Sequence, residues 1–178
     1  MTVLPKSAAF LSGLRIPGIW DSFEAGVRAI LGQQVTVTQA HKLVALLVDK
    51  LGHSLELDSQ KKSLKLFPKP QDILQSDLSF FKMPQARKDT LKRLAKHFIE
   101  TDDPDEVLAW QDIKGIGPWT VNYVRLRASK DPDVWLTGDA GVKNALALFD
   151  DFIDTDSAAP WRSYLVFHLW NQLISQSK

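Results

Sequence analysis

One short segment, residues 113–118, limits the possible folds of this chain more than any other. It contains Gly115 and Gly117, and Pro118 follows directly. Glycine allows positive φ angles and close approach by another molecule, and proline has a φ angle suited to the first turn of a helix. The segment therefore predicts a tight turn that Ile116 anchors in the core, and a helix that begins at Pro118.

Helical periodicity extends along most of the chain. Apolar residues recur every three or four positions in 21–33, where Asp21 or Ser22 can cap the helix, and again in 37–51. Residues 53–70 are polar and end in prolines, which predicts a loop, with a short strand as the alternative. The further predicted helices cover residues 70–81, 84–100, 104–111, 118–128, 140–150 and 160–176. The pattern predicts a compact, multi-helix, all-α fold.

The composition is that of a globular domain. With 178 residues, 44% of them hydrophobic, the chain can bury a core without a disulfide or a structural metal. It contains no cysteine, which excludes disulfides, thiolate zinc sites and iron–sulfur clusters. No apolar run approaches the roughly 20 residues of a membrane helix, and the first residues lack the layout of a signal peptide. We therefore expect a soluble, cytoplasmic protein with no membrane partner.

The net charge of +1 does not by itself indicate a nucleic-acid-binding protein. Six basic residues nevertheless crowd one predicted helix and its entry, opposed only by Asp89: Lys82, Arg87, Lys88, Lys92, Arg93 and Lys96. Such a helix is either a solvated face or a stripe that faces phosphates.

The turn itself has two interpretations. Backbone N–H groups at the start of a helix form a phosphate site, to which Lys114 could add a charge-assisted contact. Alternatively, the glycines serve only as the cap and bend of an ordinary turn between helices.

Four segments together resemble the helix-hairpin-helix (HhH-GPD) DNA glycosylase superfamily, and within it the bacterial 3-methyladenine DNA glycosylase II family. The segments are residues 29–35, 115–123, 133–139 and 160–170. The resemblance implies one glycosylase domain over residues 1–178, with the hairpin motif at 104–128, a catalytic loop at 133–140 and no N-terminal sheet domain. It implies a monomeric enzyme of the bacterial cytoplasm that excises N-alkylated purines, such as 3-methyladenine or 7-methylguanine, from duplex DNA by base flipping and hydrolysis.

The resemblance makes Asp139 the catalytic carboxylate. Cleavage of an N-glycosidic bond builds positive charge on the deoxyribose, which an ionised Asp stabilises while it orients the attacking water. From its position alone, an Asp before a helix is a good N-cap. Many relatives have a Pro directly before this Asp and a His two residues after it, where this chain has Gly138 and Gly141.

The resemblance also implies contacts with the base and with DNA. Trp119 and Tyr123, four residues apart on one helix, and Trp170 on the last helix would surround a cationic base, although core aromatic residues show the same spacing. Gln34 would fill the space left by the flipped base, or else is simply the polar end of a helix. The other implied DNA contacts are Gln33, Lys114, Gly115, Gly117 and Thr120.

Strand-cutting relatives have a lysine two positions after the second glycine, where this chain has Trp119. A Schiff base with the sugar cannot form there, so the expected enzyme has no lyase activity. We expect no required cofactor, with a sodium or potassium ion on the main-chain carbonyls of Ile113 and Ile116 as the candidate metal site. The alternative functions are a non-catalytic helix-hairpin-helix DNA-binding module and an all-α protein-interaction domain.

Overall fold

The computed structural model describes residues 11–56, 63–149 and 153–176. The chain divides into two compact units, one made of residues 21–121 and the other of residues 1–20 and 122–178. Helices dominate the described residues, which confirms the predicted all-α class. The single glycosylase domain expected for residues 1–178 stays a prediction.

The unit of residues 21–121 consists of helices and a small two-stranded sheet. Its elements are α1 (Ser22–Gly32), α2 (Val37–Leu51), β1 (His53–Glu56), β2 (Ser63–Leu66), α3 (Pro70–Gln75), α4 (Gln85–Glu100), a 3₁₀-helix (Val107–Asp112) and the first turn of α5 (Pro118–Arg127). Helix α1 packs against α2 and α4, and α3 packs against α4.

Helix α1 forms as its sequence predicts. The Asp21 side chain accepts the Glu24 backbone N–H at 2.6 Å, which is the expected N-cap. Its predicted apolar face is buried: Phe23, Val27, Ile30 and Leu31. A Cβ built at Gly26 would lie 2.7 Å from the Trp110 ring and 2.8 Å from the Leu94 side chain, so glycine lets the neighbouring side chains approach α1.

In this unit, two predicted helices differ in the structure, and one alternative is confirmed. Residues 53–70, predicted as a loop with a short strand as the alternative, contain strands β1 and β2, which pair antiparallel with His53 opposite Leu66. The helix predicted over 70–81 ends at Gln75. Beyond it, the side chains of Ser76 and Asp77 accept the backbone N–H groups of the residues two positions on, and such local bonds compete with a helix. The segment predicted as a helix over 104–111 forms a 3₁₀-helix at Val107–Asp112.

The unit of residues 1–20 and 122–178 contains the rest of α5, together with α6 (Ala140–Leu146), a second 3₁₀-helix (Asp156–Ala158) and α7 (Arg162–Gln176). Helix α6 packs against α7. Its buried apolar side chains include Val124, Leu126, Val134, Leu136, Val142, Leu165, Val166 and Leu169. Helix α6 ends earlier than the predicted 140–150, and α7 begins two residues later than the predicted 160–176.

Within the three described stretches, none of the helices combines the length and the apolar character that crossing a bilayer requires.

Candidate active site

The hairpin, residues 113–117, has the geometry that its sequence predicts. The Ile113 N–H donates to the Trp110 carbonyl and the Ile116 N–H donates to the Ile113 carbonyl, both at 2.9 Å. Gly115 has a φ of +100°, which favours glycine, and Ile116 is only 5% exposed. The turn is therefore closed by its own main chain and fastened to the core by one apolar side chain.

The two hairpin glycines, Gly115 and Gly117, differ in backbone conformation and in surroundings. A Cβ at Gly115 would lie 2.9 Å from the Cγ2 atom of Thr90, a buried residue whose hydroxyl donates to the Ala86 carbonyl at 2.8 Å. Gly117 has no positive φ, and among the described residues no heavy atom lies within 4 Å of a Cβ built there. Of the two properties that the sequence suggested for these glycines, Gly115 has the positive φ, whereas the space beside Gly117 is open among the described residues.

Side chains from α4 and from the end of α1 hold the hairpin carbonyls. The Arg93 guanidinium donates to the Lys114 carbonyl at 3.2 Å. The Gln33 amide donates to the Gly115 carbonyl at 3.3 Å and to the Thr120 hydroxyl at 3.1 Å. Thr120 is only 1% exposed, so it offers almost no surface to a partner and supports the hairpin from within.

Gln34 and Lys114 are exposed, as a contact with another molecule requires. Gln34 has a φ of 55°, in the left-handed region that residues other than glycine rarely adopt. Such a conformation costs of order 1–3 kcal/mol and persists where surrounding structure imposes it. Here the side chain of the preceding residue, Gln33, is hydrogen-bonded to the hairpin, and the chain turns sharply directly after it.

The basic residues of α4 do not all share one face. At about 3.6 residues per turn, Lys88 and Lys92 lie roughly opposite Thr90, which packs on the hairpin. Acidic groups partly neutralise the lysines of α4: Lys96 is 3.7 Å from Glu100, and the Ser79 backbone N–H together with Lys88 and Lys92 lowers the pKa of Asp77. Arg93 therefore supports the hairpin, and the two alternatives for the other basic residues of this helix stay predictions.

The Asp139 carboxylate accepts two hydrogen bonds. Its Oδ1 accepts the Val142 backbone N–H at 2.8 Å, so Asp139 is the N-cap of α6. The same oxygen accepts the indole N–H of Trp170, on α7, at 2.9 Å. The structure thus brings together two residues that the sequence assigned to the site separately, and the half-buried carboxylate is both a helix cap and a partner of an aromatic side chain.

The chain that leads to Asp139, here called the carboxylate loop (residues 131–139), is fastened to α7. The Arg162 guanidinium donates to both carboxylate oxygens of Asp133 at 2.7 Å, and these bonds hold the pKa of Asp133 below its ordinary value. The Ser163 hydroxyl donates to the Asp131 carbonyl at 2.6 Å and accepts the Val134 N–H at 2.9 Å. Sequence reasoning missed these supports, because an Arg or Ser in the first turn of a helix gives no sign of a partner about 30 residues away.

The predicted aromatic residues lie in half-buried positions. Tyr123 is on α5, where the Arg127 guanidinium carbon lies 5.8 Å from its ring centroid and 5.7 Å from that of Phe167. The rings of Phe167 and Trp170 meet edge to face, with centroids 5.1 Å apart. Trp119 occupies the first turn of α5. Arg127 therefore lies within cation–π distance of both the Tyr123 ring and the Phe167 ring.

The predicted monovalent cation site consists of main-chain carbonyls. The Ile113 carbonyl already accepts the Ile116 N–H, but a carbonyl has two lone pairs and keeps the capacity for a second contact. The sodium or potassium ion expected at Ile113 and Ile116 stays a prediction. Among the described residues, no group of three or more His, Asp and Glu side chains could hold a metal.

The arrangement of helices matches solved structures of DNA repair enzymes. A 3-methyladenine DNA glycosylase from Archaeoglobus fulgidus superposes with a TM-score of 0.69 at 22% identity, over 85% of this chain and 58% of that one. The Schizosaccharomyces pombe 3-methyladenine DNA glycosylase Mag1, solved with abasic DNA, superposes with a TM-score of 0.67 at 19% identity, over 92% of this chain and 85% of that one. These likenesses define the fold as that of the helix-hairpin-helix DNA glycosylases.

Sequence similarity relates the chain to named DNA glycosylases. The chain is 35% identical to DNA-3-methyladenine glycosylase 2 of Escherichia coli strain K12 and 28% identical to a DNA-3-methyladenine glycosylase of Bacillus subtilis strain 168, over 94% and 96% of its length. It spans 63% of the length of each of these relatives. No family model matches the chain. Over nearly its whole length, the chain is therefore similar to part of the DNA-3-methyladenine glycosylases.

Proposed function

We propose that this chain carries the base-removal activity of a monofunctional DNA glycosylase that excises N-alkylated purines, such as 3-methyladenine or 7-methylguanine, from duplex DNA. The observation that carries the proposal is the Asp139 carboxylate, which hydrogen bonds from the α6 main chain and from Trp170 hold in place. Two relatives that share most of this chain's length are named DNA-3-methyladenine glycosylases.

One carboxylate is sufficient for this chemistry. As the C1′–N bond breaks, its electron pair leaves with the base and positive charge develops on the deoxyribose, which the ionised Asp139 stabilises. A water molecule then adds to C1′, and Asp139 orients it and accepts its proton. A purine alkylated on a ring nitrogen is already cationic, so it departs without a strong general acid.

The hairpin is proposed to hold the sugar-phosphate backbone. Backbone N–H groups around Gly115 and Gly117 would donate to phosphate oxygens, and the open space at Gly117 allows that approach. Lys114 would add a charge-assisted contact, and a sodium or potassium ion on the Ile113 and Ile116 carbonyls would add positive charge. Such contacts position the protein on DNA without reading its sequence.

Gln34 is proposed to enter the duplex where the target base has left the stack. Its exposed, left-handed position next to the anchored Gln33 suits a side chain that must be presented rigidly. Trp119, Tyr123 and Trp170 are proposed to contact the cationic base through stacking and cation–π attraction. The protein is expected to act as a monomer.

The proposal includes the absence of strand cleavage. Pro118 and Trp119 follow Gly117, so the position where strand-cutting relatives have a lysine has no amine to form a Schiff base. Incubation with DNA that contains an abasic site, followed by borohydride reduction, should trap no covalent protein–DNA adduct. A trapped adduct would show that the chain is a lyase.

Release of free base from alkylated duplex DNA tests the function itself. The wild-type protein should release 3-methyladenine and leave abasic sites, and Asp139→Asn should release far less while it still binds an abasic-site duplex. Binding without base release by the wild-type protein would instead indicate a DNA-binding module without catalysis. Undiminished release by Asp139→Asn would overturn the assigned role of the carboxylate.

A further inference from the structure

Gly141 lies next to both side chains of the hydrogen bond between Trp170 and Asp139. A Cβ built on Gly141 would lie 3.0 Å from Asp139 Oδ1 and 3.0 Å from each of the Cδ1 and Nε1 atoms of Trp170. Carbon atoms of side chains ordinarily stay about 3.5–4.0 Å from their neighbours. Any side chain at position 141 would therefore have to displace the indole, the carboxylate or both.

The backbone gives no reason for glycine at this position. Gly141 lies in the first turn of α6 and does not have a positive φ. Alanine is a better helix former than glycine, so the helix itself would favour a side chain there. What glycine provides is room for the Trp170 indole to lie across the start of α6 with its N–H directed at Asp139.

We infer that Gly141 is a positioning residue of the glycosylase reaction, because it allows the Trp170 indole to donate to Asp139 and so fixes the carboxylate for its work at C1′. This inference rests on the proposed function. The hydrogen bond from the indole sets the orientation of the carboxylate plane together with the bond from Val142. Since Oδ1 accepts both bonds, loss of the indole N–H leaves the helix cap intact but removes the contact that comes from α7.

The experiment measures the indole and the reaction separately in Gly141→Ala. The N–H resonance of Trp170, identified among the six tryptophans by its loss in Trp170→Phe, reports the hydrogen bond. Single-turnover base release reports the chemistry, and affinity for an abasic-site duplex reports DNA binding. Gly18→Ala is the matched control, because among the described residues a Cβ there would meet the Arg127 carbonyl alone, at 3.6 Å, an ordinary contact.

Gly141→Ala should shift the Trp170 N–H resonance and slow base release by up to about 10-fold, because the added Cβ requires a shift smaller than the roughly 1 Å misplacement that costs about 100-fold. DNA affinity and helix content should stay unchanged, and Gly18→Ala should resemble the wild type in every measurement. In a Trp170→Phe background, Gly141→Ala should change the rate by less than about two-fold, because residues that act through one contact are not additive.

Two results would overturn the inference. One is a Gly141→Ala protein with the wild-type Trp170 resonance and the wild-type rate. The other is a rate loss in the double variant that multiplies the losses of the single variants. If the wild-type protein releases no base, the proposed function fails, whereas the resonance still decides whether Gly141 positions the indole against Asp139.

Discussion

The hairpin and the carboxylate loop are both irregular segments held by distant side chains, but the groups that are held differ. In the hairpin, Gln33 and Arg93 donate to main-chain carbonyls, which every residue provides. In the carboxylate loop, Arg162 and Trp170 donate to the carboxylates of Asp133 and Asp139. The hairpin therefore depends on backbone conformation, whereas the loop depends both on the main-chain bonds of Ser163 and on the carboxylates of Asp133 and Asp139. Substitutions in the hairpin should accordingly lower the free energy of unfolding. Substitutions in the carboxylate loop should change the rate of base release or the pH dependence of stability.

The largest effect is expected in the carboxylate loop, from Asp139→Asn. Base release should fall about 100-fold to 1000-fold, the usual cost of removing one group that stabilises charge in a transition state. Asn is as good an N-cap as Asp, so the melting temperature should change little. Base-release kinetics and thermal unfolding, measured on the same preparation, check the fall in rate and the unchanged melting temperature. A fall in base release that is accompanied by a large fall in the melting temperature would show that the carboxylate acts only as a helix cap.

In the hairpin, Gly115→Ala should lower the free energy of unfolding by about 2 kcal/mol, because alanine is strained at positive φ and would collide with Thr90. Gly117→Ala is the matched control and should stay within about 0.5 kcal/mol of the wild type. Urea unfolding measures both. Gly117→Ala should still weaken DNA binding, since its methyl group would enter the space proposed for phosphate. Equal destabilisation by the two variants would contradict the distinction between these glycines.

Gln33→Ala should have a smaller effect on the hairpin. It removes the hydrogen bonds to the Gly115 carbonyl and the Thr120 hydroxyl, and a net loss of about 1 kcal/mol is expected. Amide hydrogen exchange should show faster opening of residues 113–117 than in the wild type. Gln34→Ala, which removes an exposed side chain next to it, should leave that exchange unchanged. If both variants behave alike, Gln33 is not a support of the hairpin.

The smallest expected effect is a pH dependence of stability that arises in the carboxylate loop from the pair of Asp133 and Arg162. Bonds from Arg162 lower the pKa of Asp133 in the folded state, so this pair stabilises the fold above the ordinary aspartate pKa of about 3.9 and loses that effect as pH falls through the lowered value. Asp133→Asn should melt below the wild type near neutral pH, and the difference should narrow in acid. Thermal melts across this pH range measure it. A difference that is constant with pH would mean that the ion pair does not stabilise the carboxylate loop.

Local chemistry was sufficient to predict the helices and the turn. The cap at Asp21, the apolar face of α1 and the pairing of a glycine turn with Pro118 each depend on residues within a few positions of one another. The early end of α3 was missed although its cause is also local. The side chains of Ser76 and Asp77 bond to nearby backbone N–H groups, and these bonds compete with the helical conformation that the apolar spacing predicts. Packing decides which of the two conformations forms.

The sequence by itself determined the helical class, the glycine turn and the presence of an Asp directly before a helix. Only the tertiary structure decided that Gln33 and Arg93 hold the turn and that Gly141 leaves room for the Trp170 indole at Asp139. The reason is physical: caps and turns depend on neighbours along the chain, whereas the contacts of a side chain depend on which helices pack together.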